Sequence, residues 1–200
     1  MPTVVHPNFS EKSEKFAKNH NLNWLSWSEK FKKDLVNEYV IKTYASWSAK
    51  DLSGVRNLLS DRLYASWMFW INNYTQEGLT NKLDALKVNK TEIVNIDFDK
   101  FYEAITVRIY ASCKDYTINS KGEFEGGSKR KVRKFSEYWT FIRRTGVEKD
   151  SYNYETCPNC GAPADKIGQS GICEYCNSKI SNGDFSWVLS IITQDEVYKG

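Results

Sequence analysis

Histidine is scarce in this sequence. Of 200 residues only His6 and His20 carry an imidazole, and both stand ahead of the patterned part of the chain. That removes the usual general base from the expected folded body. An excess of one charge is also missing: 28 Lys and Arg against 25 Asp and Glu leave a formal +3, too little for the strongly basic face of a dedicated nucleic-acid binder. No stretch reaches the roughly 18 uncharged apolar residues of a membrane-spanning helix. Residues 64–74 come nearest, and Asn72 and Asn73 interrupt them. The opening residues lack the basic start, apolar stretch and cleavage site of a secretory signal. The chain is therefore expected to be soluble, as a peripheral protein or as the soluble part of a longer one. Neither a glycine-rich phosphate loop nor a nucleophile elbow is found.

What the chain does have is apolar and aromatic mass. Hydrophobic residues make up 40% and aromatic residues 14%, including 7 Trp, a balance that belongs to folded globular proteins. The length suits one generous domain or one domain with a small insert. Residues 1–25 are polar and weakly patterned, and are expected to form a loosely held N-terminal arm with at most one short helix at residues 11–19. From Ser26 the signal changes. Ser26 and Glu29 have capping-box spacing, and Phe31, Leu35, Tyr39, Val40, Tyr44 and Trp47 recur at helical intervals. Start signals at Ser48 and Ser60 predict a short helix to Leu59 and a longer one over residues 62–76, stopped by Gly78. After that the period becomes two, predicting strands at residues 88–98, 103–113, 132–143 and 185–193, with a polar loop around Gly122, Gly126 and Gly127 between the second and third. Ile105, Val107, Ile109, Ala111 and Cys113 share one face of the second strand; Thr106, Arg108 and Tyr110 share the other. Helices followed by strands predict an α+β fold: about three helices on an antiparallel sheet of about four strands.

Five cysteines are too few and too clustered for a disulfide scaffold. Four of them form two Cys-x-x-Cys hooks, Cys157 with Cys160 and Cys173 with Cys176, separated by twelve residues. Such hooks each bring two sulfurs to one side of an ion, and Gly161 permits the close turn after the first. Four sulfurs leave no position for water, so the expected cofactor is a single structural Zn²⁺ held in a zinc ribbon at residues 155–181. A thioredoxin-type redox pair or two disulfides are the competing readings. Cys113, on the apolar face of its strand, reads as a buried, inert thiol. A zinc site implies a reducing compartment. Four thiolates remove four charges and Zn²⁺ returns two, which takes the formal +3 to +1.

Four other features could carry function. Trp67, Trp70 and Tyr74 on the last helix, with Tyr110, Tyr138 and Trp139 on the strands, read as core packing by default and as the lining of an apolar ligand pocket otherwise. Lys129, Arg130, Lys131, Arg133 and Lys134 read as a solvated strand end, or as a patch for anionic lipid or an acidic partner. Trp24, Trp27 and Phe31, flanked by lysines, read as core or as an interfacial surface. Carboxylates such as Asp97, Asp115 and Glu137 beside strands are candidate bases for an enzyme, and RNA binding is a third reading, disfavoured by the small net charge.

The runs Tyr44-Ala-Ser-Trp47, Lys50-Asp51-Leu52, Leu59-Ser-Asp-Arg-Leu63-Tyr64, Lys114-Asp115-Tyr116 and Phe135-Ser-Glu137-Tyr138-Trp139-Thr-Phe141-Ile-Arg143 resemble the TIM-forty-four-like (Tim44-like) domain family, over residues 26–195. The bacterial members that it looks most like carry a four-cysteine zinc ribbon in the last hairpin. The resemblance implies a nuclear transport factor two-like fold, a curved antiparallel sheet wrapped by helices around a conical apolar pocket. It also implies a non-enzymatic role. Mitochondrial relatives dock on a membrane through helices at the start of this domain and tether translocation machinery, which would put Trp24, Trp27 and Phe31 at the lipid. The expectation is thus a membrane-associated scaffold or transport-related binding module, in the bacterial cytoplasm or on the cytoplasmic face of the membrane, with a protein partner or an anionic membrane surface. An isomerase- or dehydratase-type enzyme using the conical cavity, through Asp115, Tyr110 or Tyr138, is the alternative.

Overall fold

The structure, a computed structural model, describes residues 2–147 and 155–200. Helix α1 runs Phe9–Asn19 and α2 Trp24–Lys30. The side chain of Asn23 caps α2 by accepting the Ser26 N–H at 3.0 Å, three residues ahead of the expected start. The chain then stays helical through a π turn, Phe31–Val36, into α3, Asn37–Ala49. A π turn inserts one residue into the helical ladder and rotates the next helical segment about its axis. Here it brings Phe31, Leu35, Val36, Tyr39 and Val40 all to the buried side. Lys50 ends α3 in the left-handed region (φ 57°). A 3-10 turn, Ser53–Leu58, leads to α4, Asp61–Gln76. Ser60 caps α4 as expected, its Oγ accepting from the Leu63 N–H.

The five strands are β1 Leu79–Phe98, β2 Tyr102–Asn119, β3 Phe124–Gly127, β4 Arg133–Arg144 and β5 Val188–Gln194. They form one antiparallel sheet in the order β1-β2-β4-β5, with the short β3 also against β2. The fold class is α+β, with helices on an open antiparallel sheet. β1 begins nine residues earlier than the sequence pattern indicates. Register shifts between Asp84 and Lys87, Val88 and Lys90, and Ile93 and Asn95 break its alternation, and each bulge resets which face a side chain takes. Ala85 sits at φ 53° inside the first of them. The β1–β2 turn is tied by Asp99, whose carboxylate accepts the N–H groups of Phe101 and Tyr102.

The two sheet faces have different neighbours. Ile105, Val107, Ile109 and Ala111 of β2, with Trp139 and Phe141 of β4, pack into one core with Phe31, Leu35, Tyr39 and Val40. Tyr39 donates to the Trp187 carbonyl. The opposite face is covered by the chain's described ends. Residue 4 donates its N–H to the Tyr138 hydroxyl, Thr3 meets Tyr110 and Glu92, and the Tyr138 ring stacks on Tyr198 at 3.8 Å. The N-terminal arm is therefore packed, not loose: Phe16 of α1 is in the core and His6 pairs with Val94 through its backbone.

Candidate metal centre and the cavities at the sheet ends

Between β4 and β5 the Cys157–Cys160 and Cys173–Cys176 hooks converge. The four sulfurs all lie within 4.8 Å of one another, with Cys157 and Cys176 Sγ 3.9 Å apart and Cys160 and Cys173 Sγ 3.8 Å apart. A tetrahedral ion with metal–sulfur bonds of about 2.3 Å separates its ligands by about 3.8 Å, so the donor set fits a metal ion. The local chain builds this twice by the same device. The residue after the second cysteine of each hook takes the left-handed region, Gly161 at φ 77° and Asn177 at φ 55°, positions suited to glycine and asparagine. The turns then aim hydrogen-bond donors at sulfur. Burial pushes the Cys157 thiol up, to about 12, against the opposing N–H groups of Cys160 and Asn159. The Ser178 hydroxyl and N–H draw the Cys176 thiol down, to about 6.

Ile167 and Ile180, with Phe185 beside them, make a small core around Cys157 and Cys173. A polar cluster on Arg56 and Asp61 fastens the insert to the helical body. Arg56 donates to the Gln169 carbonyl at 2.7 Å, the Leu59 carbonyl at 2.8 Å and Asp61. Asp61 also accepts from Ser181 at 2.7 Å and pairs with Lys179 at 2.6 Å.

The six residues expected around one apolar pocket stand in separate places. Successive strand residues face opposite ways, so Trp139 is wholly buried on the helix side while Tyr138 and Tyr110 lie on the other face, beneath the terminal segments. Trp67 stacks on Tyr44 and meets Trp47 edge-on, Tyr74 also meets Trp47, and Trp70 is solvent-exposed beside Phe69. Of the N-terminal aromatics, Phe31 is fully buried against Phe141 and Trp187, and Trp27 stacks on Phe31 and lies tilted against Trp24. The exposed apolar side chain among them is Leu25.

The basic run forms the β3–β4 turn. Gly127 (φ 85°) lets the turn pass so close to β2 that a Cβ would overlap the Asp115 carbonyl, and Ser128 Oγ accepts the N–H groups of Arg130 and Lys131. Arg133 pairs with Asp115 at 2.5 Å. Lys129 lies over the Tyr116 ring, and Lys129, Arg130, Lys131 and Lys134 are exposed with no ion-pair partner among the described residues. Val132 and Phe124 stand exposed beside them.

Two polar clusters end the core face of the sheet. At one end His20 Nε2 lies 2.5 Å from Glu103, which also holds Arg143 at 2.9 Å. The expectation that both histidines stand apart from the folded body is thus corrected: α1 carries His20 onto the sheet, against a partner 83 residues away that no local pattern reveals. At the other end Glu137 accepts from the Tyr44 hydroxyl, from Trp139 Nε1 at 3.1 Å and from Gln194 Nε2 at 2.9 Å. Asp115 accepts from Asn81 at 2.9 Å, and Asn81 accepts from Trp47 Nε1 at 2.9 Å. Burial, and then the charge of Glu137, raises the Tyr44 hydroxyl well above its ordinary value. A cavity of about 200 Å³ opens on Tyr44, Trp47, Phe135 and Glu137.

No curated protein matches the chain. The family model described as "Tim44-like domain" matches residues 28–155, from within α2 through β4 to the edge of the cysteine insert. With more than half of its length so matched, the chain belongs to the Tim44-like domain family.

Proposed function

We propose that this chain is a non-enzymatic, membrane-associated binding module of transport machinery, stiffened by one structural Zn²⁺ and working in a reducing compartment. The observation that carries the membrane part is the β3–β4 turn. Lys129, Arg130 and Lys131 of the turn and Lys134 at the start of β4 have no ionic partner among the described residues, exposed Val132 and Phe124 flank them, and the turn is braced by Ser128 and Gly127. That pairing of unneutralised charge with apolar tips suits an anionic lipid surface, where each basic residue contributes about 1 kcal/mol. Trp24, Trp27 and Phe31 have most of their ring contacts within the fold, so the contact is assigned to the turn.

The zinc assignment rests on the donor chemistry. Four thiolates in a closed tetrahedron suit Zn²⁺, and they leave no coordination position for substrate. When bound, the ion would be held by Cys157, Cys160, Cys173 and Cys176 and would supply the folding energy of the insert.

Co-sedimentation tests the membrane reading. The chain should pellet with phosphatidylserine-containing vesicles and not with phosphatidylcholine vesicles. Raising salt from about 0.1 M to 0.5 M should release it, and replacing Arg130 and Lys131 by Ser should weaken binding about tenfold or more. Binding that ignores salt and lipid charge would sink this reading. An acidic protein captured in place of vesicles would reassign the same patch.

A further inference from the structure

Glu137 is the feature that the proposed function does not use. It is a buried carboxylate, 9% exposed, on the core face of β4. Its three partners, the Tyr44 hydroxyl, the Trp139 indole and the Gln194 amide, are all neutral donors. No lysine, arginine or histidine lies within ion-pair distance of it among the described residues. The carboxylate oxygens accept all three bonds, two at Oε2 and one at Oε1. A buried carboxylate is normally matched by a cation, and among the described residues no side chain provides one.

The space beside Glu137 is built for a positive charge. The cavity of about 200 Å³ is lined by three aromatic side chains, Tyr44, Trp47 and Phe135, and aromatic rings attract cations. Arg133, the basic residue at its edge, is paired with Asp115 and lies over the Phe135 ring. Asp115 therefore offsets Arg133 and the lining keeps one net negative charge, that of Glu137. A carboxylate has about four lone-pair sites, so one remains for a ligand N–H. The volume is below the roughly 300 Å³ at which drug-sized sites begin, which limits the occupant to a few heavy atoms. Asn81, Asp115 and Arg133 also line a groove of about 610 Å³, so a substituent could extend outward.

We infer that the cavity bounded by Tyr44, Trp47, Phe135 and Glu137 is a binding site for a small organic ammonium ion. The ammonium group pairs with Glu137 and its alkyl part lies against the aromatic walls.

The test uses the full, zinc-supplemented chain labelled with ¹⁵N, with n-butylammonium chloride as probe and butan-1-ol at the same ionic strength as its neutral counterpart. Butylammonium should shift the Trp47 and Trp139 indole N–H and Gln194 amide signals saturably. Butan-1-ol should act at least about tenfold more weakly. Glu137→Gln keeps an acceptor and removes the charge; it should lower butylammonium affinity about tenfold. Phe135→Leu should lower it by a smaller factor. Equal responses to the two probes, or no saturable shift with butylammonium, overturn the inference, and this comparison needs no variant to fold. Unchanged affinity in a folded Glu137→Gln chain overturns it equally.

Discussion

Burial pushes the Asp61 carboxyl up, but Lys179, Ser181 and Arg56 outweigh it and hold the group down, at about 2. The unfolded chain binds its proton near the ordinary value of about 3.9. A depressed folded value means that the contribution of Asp61 to stability is fully present above about pH 4 and is lost as pH falls toward 2. Asp61→Asn should therefore melt below the unaltered chain at pH 6, and the gap should close as the pH is lowered from about 4 to about 2.5. A gap of constant size would assign the effect to packing. Legibility at this scale depends on distance along the chain. Ser60, the cap of α4, and the left-handed Gly161 are read from their immediate neighbours. The roles of Asp61, Glu137 and His20 depend on Lys179, Tyr44 and Glu103, which are placed by the finished fold.

Among the elements, the cysteine insert buries few apolar side chains of its own, chiefly Ile167 and Ile180, with Phe185 packed against them from beyond it, and polar contacts with Arg56 and Asp61 link it to the body. Stripping the metal with a chelator should raise amide exchange throughout residues 155–181 while β2 and β4 keep their protection. Loss of the Gln169, Lys179 and Ser181 contacts, about 1 kcal/mol each, should lower the melting temperature of the body by several degrees, at about 2–4 °C per kcal/mol. Zinc added back should restore both, and one zinc per chain should be measured. An insert whose exchange ignores the chelator would mean that the metal is not what folds it. The hooks are readable because metal-ligand spacing is a local pattern. β1 is readable only in its second half: the register shift between Asp84 and Lys87, with Ala85 in the left-handed region, breaks the alternation of residues 79–87, and the π turn leaves a helical pattern continuous while changing what it buries.

On the scale of the whole molecule, Arg108 joins the two described ends of the chain to the sheet. It is 1% exposed at the middle of β2, on the face away from the helices. Its Nη1 donates to Thr3 at 3.0 Å, its Nη2 reaches Asp195 at 2.5 Å, and its guanidinium lies over the Tyr110 and Tyr138 rings. The arm at residues 2–8 and the segment after β5 thus share one buried anchor. Composition marks residues 1–25 as a loosely held arm because they are polar; the contacts of Arg108, on the face of β2 opposite Val107 and Ile109, tie residue 3 and residue 195 to the sheet. Removing Arg108 should act on both segments together. Arg108→Gln would leave the Asp195 carboxylate partly buried without its cation, a change worth about 3–5 kcal/mol and hence roughly 10 °C in melting temperature. Amide exchange should rise at His6, whose N–H bonds Val94, and at Val197 and Tyr198, while Val107 and Trp139 in the core stay protected. Arg108→Lys, which keeps the charge and loses the planar fork, should fall between the two. Release of one terminal segment with the other still protected would show that each is held independently, and Arg108 would then be a partner to both but not the link between them.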